Sequence, residues 1–212
     1  MDLYENIDIY CERTDASLWS EPVNAITNIA FFIAAYFAYQ LWKTSSRKPD
    51  TLALVVLLAI IGAGSSLFHT FGNKWSMLAD IIPIGIFIHV AICSIFFRVL
   101  KLRLPLAVLC TLLFGGFSFY FKDLLPHTFN SFALYTPTLI FMGCLSIGLL
   151  IAKKPLFKHF AIIAVLFAFS LAFRTIDMEV CGQFALGTHF LWHLINGAVL
   201  YTTIRAIINL QE

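Results

Sequence analysis

Charged residues are scarce in this chain, and their scarcity excludes most classes of soluble protein. Asp, Glu, Lys and Arg make up 12% of the 212 residues, whereas 60% are hydrophobic. A soluble domain carries about 25% charged residues. The sequence also lacks a basic stripe, so nothing in it favours a nucleic-acid partner. The composition therefore predicts a polytopic membrane protein.

The sequence has no segment that fits a cleavable signal peptide, a second domain or a low-complexity linker. Its first residues, MDLYENIDIYCERTD, are acidic, whereas a signal peptide is basic and then apolar. We therefore expect residues 1–212 to form a single domain. Residues 1–21 would be an acidic extracytoplasmic N-terminal segment.

Seven segments are long and apolar enough to cross a bilayer as helices, which takes about 20 residues each. They are residues 22–42, 51–71, 77–98, 104–121, 131–151, 158–174 and 187–208. The connections between them are short, so consecutive helices should pack antiparallel. The sequence thus predicts an all-α protein, a bundle of seven transmembrane helices.

Lys and Arg are divided unequally between the two sides of this predicted bundle. One side has only Arg13, Lys74, Lys122 and Arg174. The other side carries Lys43, Arg47, Lys48, Arg98, Lys101, Arg103, Lys153, Lys154, Lys158 and Arg205. Because cytoplasmic loops are enriched in Lys and Arg, we expect the N-terminus outside and the C-terminus in the cytoplasm.

The cysteines agree with this topology. Cys93, Cys110 and Cys144 fall within spans, where a thiol usually serves as a small packing residue. Cys11 and Cys181 fall on the predicted outer side, where an oxidising compartment allows a disulfide between them. Two free thiols are the alternative.

Five polar side chains converge at the predicted outer rim. Ser65 and His69 lie in the last turns of the second span, and Asp80 lies in the first turn of the third. His189 and His193 are four residues apart, so they share one face of the seventh helix. The topology therefore brings one Ser, one Asp and three His to a single depth.

These residue types are suited to metal-dependent hydrolysis. Three imidazoles with an open position are a catalytic zinc arrangement, and zinc lowers the pKa of bound water from near 16 to about 7. Asp80 would accept the proton of the zinc-bound water, the nucleophile, or orient that water by a hydrogen bond. Ser65 would donate to the developing oxyanion.

Each of these residues also has a structural interpretation when it is taken singly. Asp80 could interact with the dipole of its helix, and Ser65 could bond to its own backbone. We assign structural roles to His127 and His159, which lie apart from the cluster. Ionisable groups within spans are costly and by default functional, so the coincidence favours a metal site.

Several motifs resemble the alkaline ceramidase family. GAGSSLFHTFGNKWSMLADIIP resembles its Ser, His, Asp and Pro signature, and HFLWHLINGAVLY resembles its C-terminal pair of histidines. EPVNAITNIAFF is similar to its first-span opening, and IDMEVC to the loop with its outer cysteine. The resemblance covers nearly the whole chain. The wider superfamily includes the progestin and adiponectin receptors.

The resemblance implies a zinc-dependent membrane amidase that cleaves ceramide or a related N-acyl lipid into a fatty acid and a sphingoid base or other amine. The residues that it implies are the zinc ligands His69, His189 and His193, the general base Asp80 and the oxyanion donor Ser65. It also pairs Cys11 with Cys181 in a disulfide.

The resemblance further implies a calcium site in the N-terminal segment. Glu12 and Glu21 match two carboxylates of that site, and Asp8 would replace an acidic residue expected at Ile9. Hard cations take clusters of oxygen ligands. The alternative is a solvated acidic tail.

Two other functions fit the same residues less well. A seven-helix lipid receptor or sensor could hold a structural zinc ion, but short inner loops leave little surface for a signalling partner. A transporter could use His and Asp as a proton relay, but such sites lie near the bilayer midplane. We therefore expect an enzyme with a membrane-lipid substrate and an extracytoplasmic site, and the compact chain favours a bacterial inner membrane.

Overall fold

The computed structural model describes residues 2–124 and 130–209, and His127 lies outside them. Its helices are α1 (Pro22–Thr27), α2 (Ile29–Thr44), α3 (Pro49–Phe71), α4 (Lys74–Ser94), α5 (Leu104–Phe121), α6 (Asn130–Ile151), α7 (Phe157–Thr175) and α8 (His189–Asn209). A π-helical turn, Ile95–Val99, continues α4.

The all-α, seven-span prediction is confirmed. Within the described residues seven helices are long and apolar enough to cross a membrane, the first being α1 and α2 together. These same parts of the chain contain no strand, only an isolated bridge between Asn6 and Asn73. The chain is therefore a helical bundle with an irregular N-terminal segment.

The third span begins earlier than predicted. Asn73 and Ser76 form a capping box, in which the Asn73 side chain accepts from the Ser76 amide and the Ser76 hydroxyl accepts from the Asn73 amide. This reciprocal cap satisfies amides that the first helical turn leaves free, so α4 begins at Lys74. Asp80 consequently lies in the second turn of α4, and its prediction in the first turn was wrong.

Two glycines set the contact between α3 and α4. Gly72 ends α3 with φ of 55°, a left-handed conformation that favours glycine, and lets α4 begin two residues later. A Cβ at Gly64 would lie 2.0 Å from the carbonyl oxygen of Ala79. The missing side chain therefore lets α4 approach α3 closely, directly before Asp80.

The helices differ in how deeply they are placed in the bundle. In the most apolar 18-residue stretch of α8, 61% of the residues are buried, whereas in that of α5 only 11% are. The apolar core includes Phe31, Leu58, Phe87, Phe160 and Ile204, which come from five different helices. Thus α8, which carries two of the predicted zinc ligands, is central and α5 is peripheral.

Residues 2–21, hereafter the N-terminal segment, cover one end of the bundle. The Ile7 amide donates to the Gly72 carbonyl at 2.7 Å, and the Trp75 amide donates to the Leu3 carbonyl at 2.9 Å. Cys11 and Cys181 form a disulfide, as the resemblance implied. This end, which we call the N-terminal end of the bundle, also contains the last turn of α3 and the first turns of α4 and α8.

Candidate metal centre

Three histidines meet at the N-terminal end of the bundle. His69 comes from the last turn of α3, and His189 and His193 come from the first two turns of α8. One ligand atom from each lies within 4.8 Å of the other two. In the described ranges this is the one group of three or more His, Cys, Asp or Glu side chains placed to share a metal ion.

Each of these imidazoles keeps a buried nitrogen that has no hydrogen-bond partner among the described residues. The atoms are His69 Nε2, His189 Nδ1 and His193 Nε2, and the three residues are at most 1% exposed. A buried polar atom without a partner is costly and calls for an explanation. Three imidazoles suit Zn, Cu, Fe or Ni, and a metal ion would satisfy all three nitrogens together, so the residues fit a metal.

The opposite nitrogens of two histidines are held by protein groups. His69 Nδ1 lies 2.6 Å from Glu21 Oε2, and His193 Nδ1 lies 2.9 Å from Thr27 Oγ1. The Thr27 hydroxyl donates to the Val23 carbonyl at 2.8 Å, so its oxygen accepts from His193. Both rings therefore carry their proton on Nδ1 and turn a lone pair on Nε2 toward the shared position.

Glu21 is an ionised carboxylate in this arrangement. Burial raises the pKa of Glu21, but hydrogen bonds with His69 and Asn24 and the charge of Arg13 lower it by a larger amount. The pKa of Glu21 is therefore below its usual value. An ionised Glu21 can only accept, so the proton shared with His69 belongs to the imidazole. Sequence reasoning missed this role, because Glu21 and His69 are 48 residues apart and Glu21 lies in an irregular segment.

Asp177 fixes the start of α8, and sequence reasoning did not assign it a role. Its Oδ1 accepts from the amides of Thr188 and His189 at 2.6 and 2.8 Å, and its Oδ2 accepts from the Cys11 amide at 2.8 Å. A carboxylate at a helix N-terminus accepts hydrogen bonds from the free amides of the first turn and interacts favourably with the helix dipole. Asp177 thus positions His189 and the N-terminal segment at once.

Asp80 and Ser65 lie beside the histidines. Both are buried, at 4% and 3% exposed, and the Ser65 side chain interacts with the Asp80 carboxylate. Asp80 is close enough to His69 for their charges to interact, but it is not part of the metal-sharing group. Its Oδ1 has no hydrogen-bond partner within residues 2–124 and 130–209. The structure thus brings all five predicted site residues into one buried region.

Aromatic rings and the guanidinium of Arg174 lie around this region. Tyr10 stacks on His189 with ring centroids 3.6 Å apart, and its hydroxyl is buried without a partner. Burial raises the pKa of Tyr10, so the hydroxyl stays protonated. The Arg174 guanidinium carbon lies 5.0 Å from the Trp192 ring and 5.5 Å from the rings of Tyr10 and Tyr135. Arg174 ends an apolar run, a signal that could have marked it, whereas nothing in the sequence marked Tyr10.

The carboxylates predicted to bind calcium are not grouped for it. Asp8 is exposed, and both oxygens of Glu12 accept backbone amides, from Val23 at 2.7 Å and Asn24 at 2.8 Å. Glu21 accepts from Arg13 Nε at 2.5 Å and from Asn24 Nδ2 at 3.0 Å, besides its contact with His69. This placement gives calcium no support, and the calcium site stays a prediction.

A narrow apolar cavity lies next to the metal centre. Residues from α3, α4, α6, α7 and α8 line it, among them Phe87, Tyr135, Met142, Phe167 and Trp192. Trp192 and Tyr135 also contact Arg174, so the cavity begins where the polar region ends. The cavity volume is about 40 Å³.

Comparison with known proteins identifies a family. The family model of ceramidase matches residues 9–211, nearly the whole chain. No curated protein matches the chain. The matched range includes the seven spans, the three histidines and both cysteines of the disulfide. The chain therefore belongs to the ceramidase family, and the match supports a membrane enzyme that hydrolyses ceramide.

Proposed function

We propose that this chain is a zinc-dependent membrane amidase that hydrolyses the amide bond of ceramide or a related N-acyl lipid. The products are a free fatty acid and an amine, a sphingoid base in the case of ceramide. The observation that carries the proposal is the set of three buried, unpartnered imidazole nitrogens beside an unpartnered carboxylate oxygen.

His69, His189 and His193 would hold the zinc ion. A zinc ion held there supplies a Lewis acid and lowers the pKa of water to about 7. Glu21 and Thr27 keep protons on the Nδ1 atoms of His69 and His193, which leaves Nε2 of each ring free to bind the metal. Such outer hydrogen bonds fix the ring orientation and raise the basicity of the ligand.

Asp80 is the general base of the proposed reaction. Its buried, unpartnered Oδ1 accepts the proton of the attacking water and later delivers it to the leaving amine. The close contact of α4 with α3 at Gly64 sets the position of this carboxylate. A backbone-determined position is rigid, which keeps the base within reach of the water.

Ser65 is the donor to the substrate carbonyl oxygen. A hydroxyl has one hydrogen, and in the resting site Ser65 interacts with the Asp80 carboxylate. Once Asp80 takes a proton it attracts the Ser65 hydrogen less, so Ser65 can donate to the developing oxyanion. The donor is thus strengthened when negative charge moves from Asp80 to the substrate.

The membrane setting supports a lipid substrate. The apolar cavity beside Trp192 would receive an acyl chain while the amide reaches the histidines. We further propose that the N-terminal end of the bundle faces the extracytoplasmic side, because most Lys and Arg residues lie in the loops predicted at the other end. The short connections between the spans would suit a bacterial inner membrane.

A lipid-panel hydrolysis assay followed by mass spectrometry tests the proposed function. Purified protein should release fatty acid and amine in equal amounts from ceramide or a simpler N-acyl amide. Asp80→Asn should lower kcat by about 10²- to 10⁴-fold without loss of zinc. Asp123→Asn is the matched control, because Asp123 is exposed and lies far along the chain from the site residues.

Two outcomes would contradict the proposal. Equal turnover in wild type and Asp80→Asn would remove the base from the mechanism. A zinc-loaded protein that cleaves no amide lipid would instead favour a receptor or sensor with a structural zinc site.

A further inference from the structure

Arg174, in the last turn of α7, is a cation with no polar partner in the site region. The side chain is half-buried and its Nε is fully buried without a hydrogen-bond acceptor. No hydrogen bond or salt bridge within residues 2–124 and 130–209 reaches the guanidinium. Its neighbours are the rings of Tyr10, Tyr135 and Trp192.

The aromatic rings stabilise the charge of Arg174, but they do not satisfy its N–H donors. A guanidinium over a ring face is stabilised by the ring quadrupole. It also presents five N–H donors in a planar fork, which rings cannot satisfy as a carboxylate does. The arrangement therefore orients Arg174 and leaves its donors for another group.

The nearby carboxylates do not fill that role. Asp177 accepts three backbone amides, from Cys11, Thr188 and His189, and forms no salt bridge with Arg174. Asp80 feels the charge of Arg174 but forms no salt bridge with it. The guanidinium also acts electrostatically on His189 and His193, which places it beside the proposed zinc ligands.

A second unpartnered donor lies next to Arg174. The buried hydroxyl of Tyr10 has no hydrogen-bond partner among the described residues, and the Tyr10 ring is both stacked on His189 and in contact with the guanidinium. No acceptor among the described residues is bonded to either donor, so the pair calls for an acceptor on a ligand. A planar, negatively charged oxygen pair matches the fork of an arginine best.

We propose that Arg174, assisted by Tyr10, binds a carboxylate adjacent to the scissile amide. This inference rests on the proposed amidase function and deepens it. The carboxylate has two possible sources, the fatty acid that hydrolysis releases and an acidic group on the amine half of the substrate, as in an N-acyl amino acid. Ceramide itself is neutral, so only the second source would make Arg174 a determinant of substrate choice.

Equilibrium binding to the zinc-loaded protein tests the proposal without turnover. Asp80→Asn protein serves as the background, so that no ligand is cleaved. The probes are laurate, N-dodecanoylglycine and the neutral N-dodecanoylethanolamine. Adding Arg174→Gln should weaken carboxylate binding by about 10- to 100-fold, the usual worth of charge-assisted hydrogen bonds, and leave the neutral amide unchanged.

The two sources are distinguished by the probe that responds. A loss confined to laurate identifies the released fatty acid, and a loss for N-dodecanoylglycine identifies an acidic amine half. Lys74→Gln is the matched control, because Lys74 lies at the same end of the bundle but pairs with Glu5 at the surface. Its substitution should leave all three affinities unchanged.

Equal weakening of neutral and acidic probes, or no binding of either carboxylate to the background protein, would overturn the proposal. Arg174→Lys, which keeps the charge but not the fork, provides a second variant if Arg174→Gln does not fold; it should show an intermediate loss. Because binding is measured without hydrolysis, a protein that binds carboxylates but cleaves no amide would refute the amidase proposal alone. Active wild type whose Arg174 variants do not discriminate would refute this inference alone.

Discussion

Two clusters of ligand-type residues lie side by side at the N-terminal end of the bundle, and they differ in what satisfies their atoms. In the histidine cluster, three buried nitrogens have no hydrogen-bond partner in the part of the chain that the structure describes. In the carboxylate cluster, Glu12 and Glu21 accept hydrogen bonds from backbone amides, Asn24, Arg13 and His69. The histidine cluster is therefore the better candidate for a metal site. What distinguishes it is that its buried ligand atoms lack partners, and not that it has more suitable side chains.

Arg13 is the cation of the carboxylate cluster. Its Nε donates to Glu21, its Nη1 to the Asp15 carbonyl at 3.2 Å, and its Nη2 to the His69 carbonyl at 3.1 Å. A Cβ at Gly72 would lie 2.4 Å from the guanidinium carbon, so glycine there leaves room for it. A guanidinium bonded to Glu21 repels a second cation, and Glu21 links the two clusters through His69.

The largest expected effect comes from removing a histidine of the first cluster. His69→Ala should lower amide hydrolysis by on the order of 10³-fold or more, because the water loses the ion that acidifies it. His159→Ala, an exposed histidine that lies apart from the site in the sequence, should keep normal activity. Comparable rates for both variants would show that the histidine cluster is not the catalytic centre.

Removing the cation of the second cluster should mainly affect stability. Arg13→Met leaves the buried Glu21 carboxylate without its ion pair, which costs about 3–5 kcal/mol, so Tm in detergent should fall by about 10 °C. Lys74→Met breaks a surface pair with Glu5 and should cost at most about 1 kcal/mol. The side chains are 3% and 2% exposed in the buried pair, against 26% and 57% in the surface pair. Equal Tm values for the two variants would contradict the expected difference in stability between the buried and the surface ion pair.

Glu21→Gln tests the link between the clusters. The amide is a weaker acceptor for His69 Nδ1 than the carboxylate, so zinc affinity should fall by about 10- to 100-fold. Competition with a zinc-binding dye measures this. Glu12→Gln is the control, because Glu12 bonds to backbone amides and not to a histidine, and its zinc affinity should match wild type. An equal loss of zinc affinity in both variants would show that the effect comes from the N-terminal segment as a whole and not from the contact of Glu21 with His69.

The smallest expected effect is that of calcium. If Arg13 already neutralises the carboxylate cluster, adding calcium should leave Tm unchanged. A concentration of about 1 mM is enough to occupy even weak extracellular calcium sites. A ligand that binds only the folded state stabilises it by RT ln(1 + [L]/Kd) and so raises Tm, which makes a calcium site visible in this measurement. A rise in Tm that is lost in Glu21→Gln would restore the calcium prediction and remove the contrast between the clusters.

The spans and the histidine cluster could be predicted from the sequence because both depend on short-range patterns. An apolar run of sufficient length must satisfy its backbone as a helix in lipid, and all seven predicted spans correspond to observed ones. Given alternating helices, the ends that carry His69, Asp80 and His189 must lie on the same side. The same logic placed Ser65 and His193 with them.

The partners that orient these residues could not be predicted in this way. The contacts of Glu21 with His69 and of Cys11 with Asp177 join residues 48 and 166 positions apart. Both involve the N-terminal segment, which has no helical period to fix its path. The capping box at Asn73 was also missed, so the start of α4 and the turn that holds Asp80 were misplaced.

Zinc content is the most direct test of the account. Protein purified without added metal should contain about one zinc ion per chain by plasma mass spectrometry, as expected for a single three-histidine site. His193→Ala, which removes one of the three unpartnered nitrogens, should contain almost none. A wild type with far less than one zinc per chain, or equal zinc in both proteins, would contradict the account.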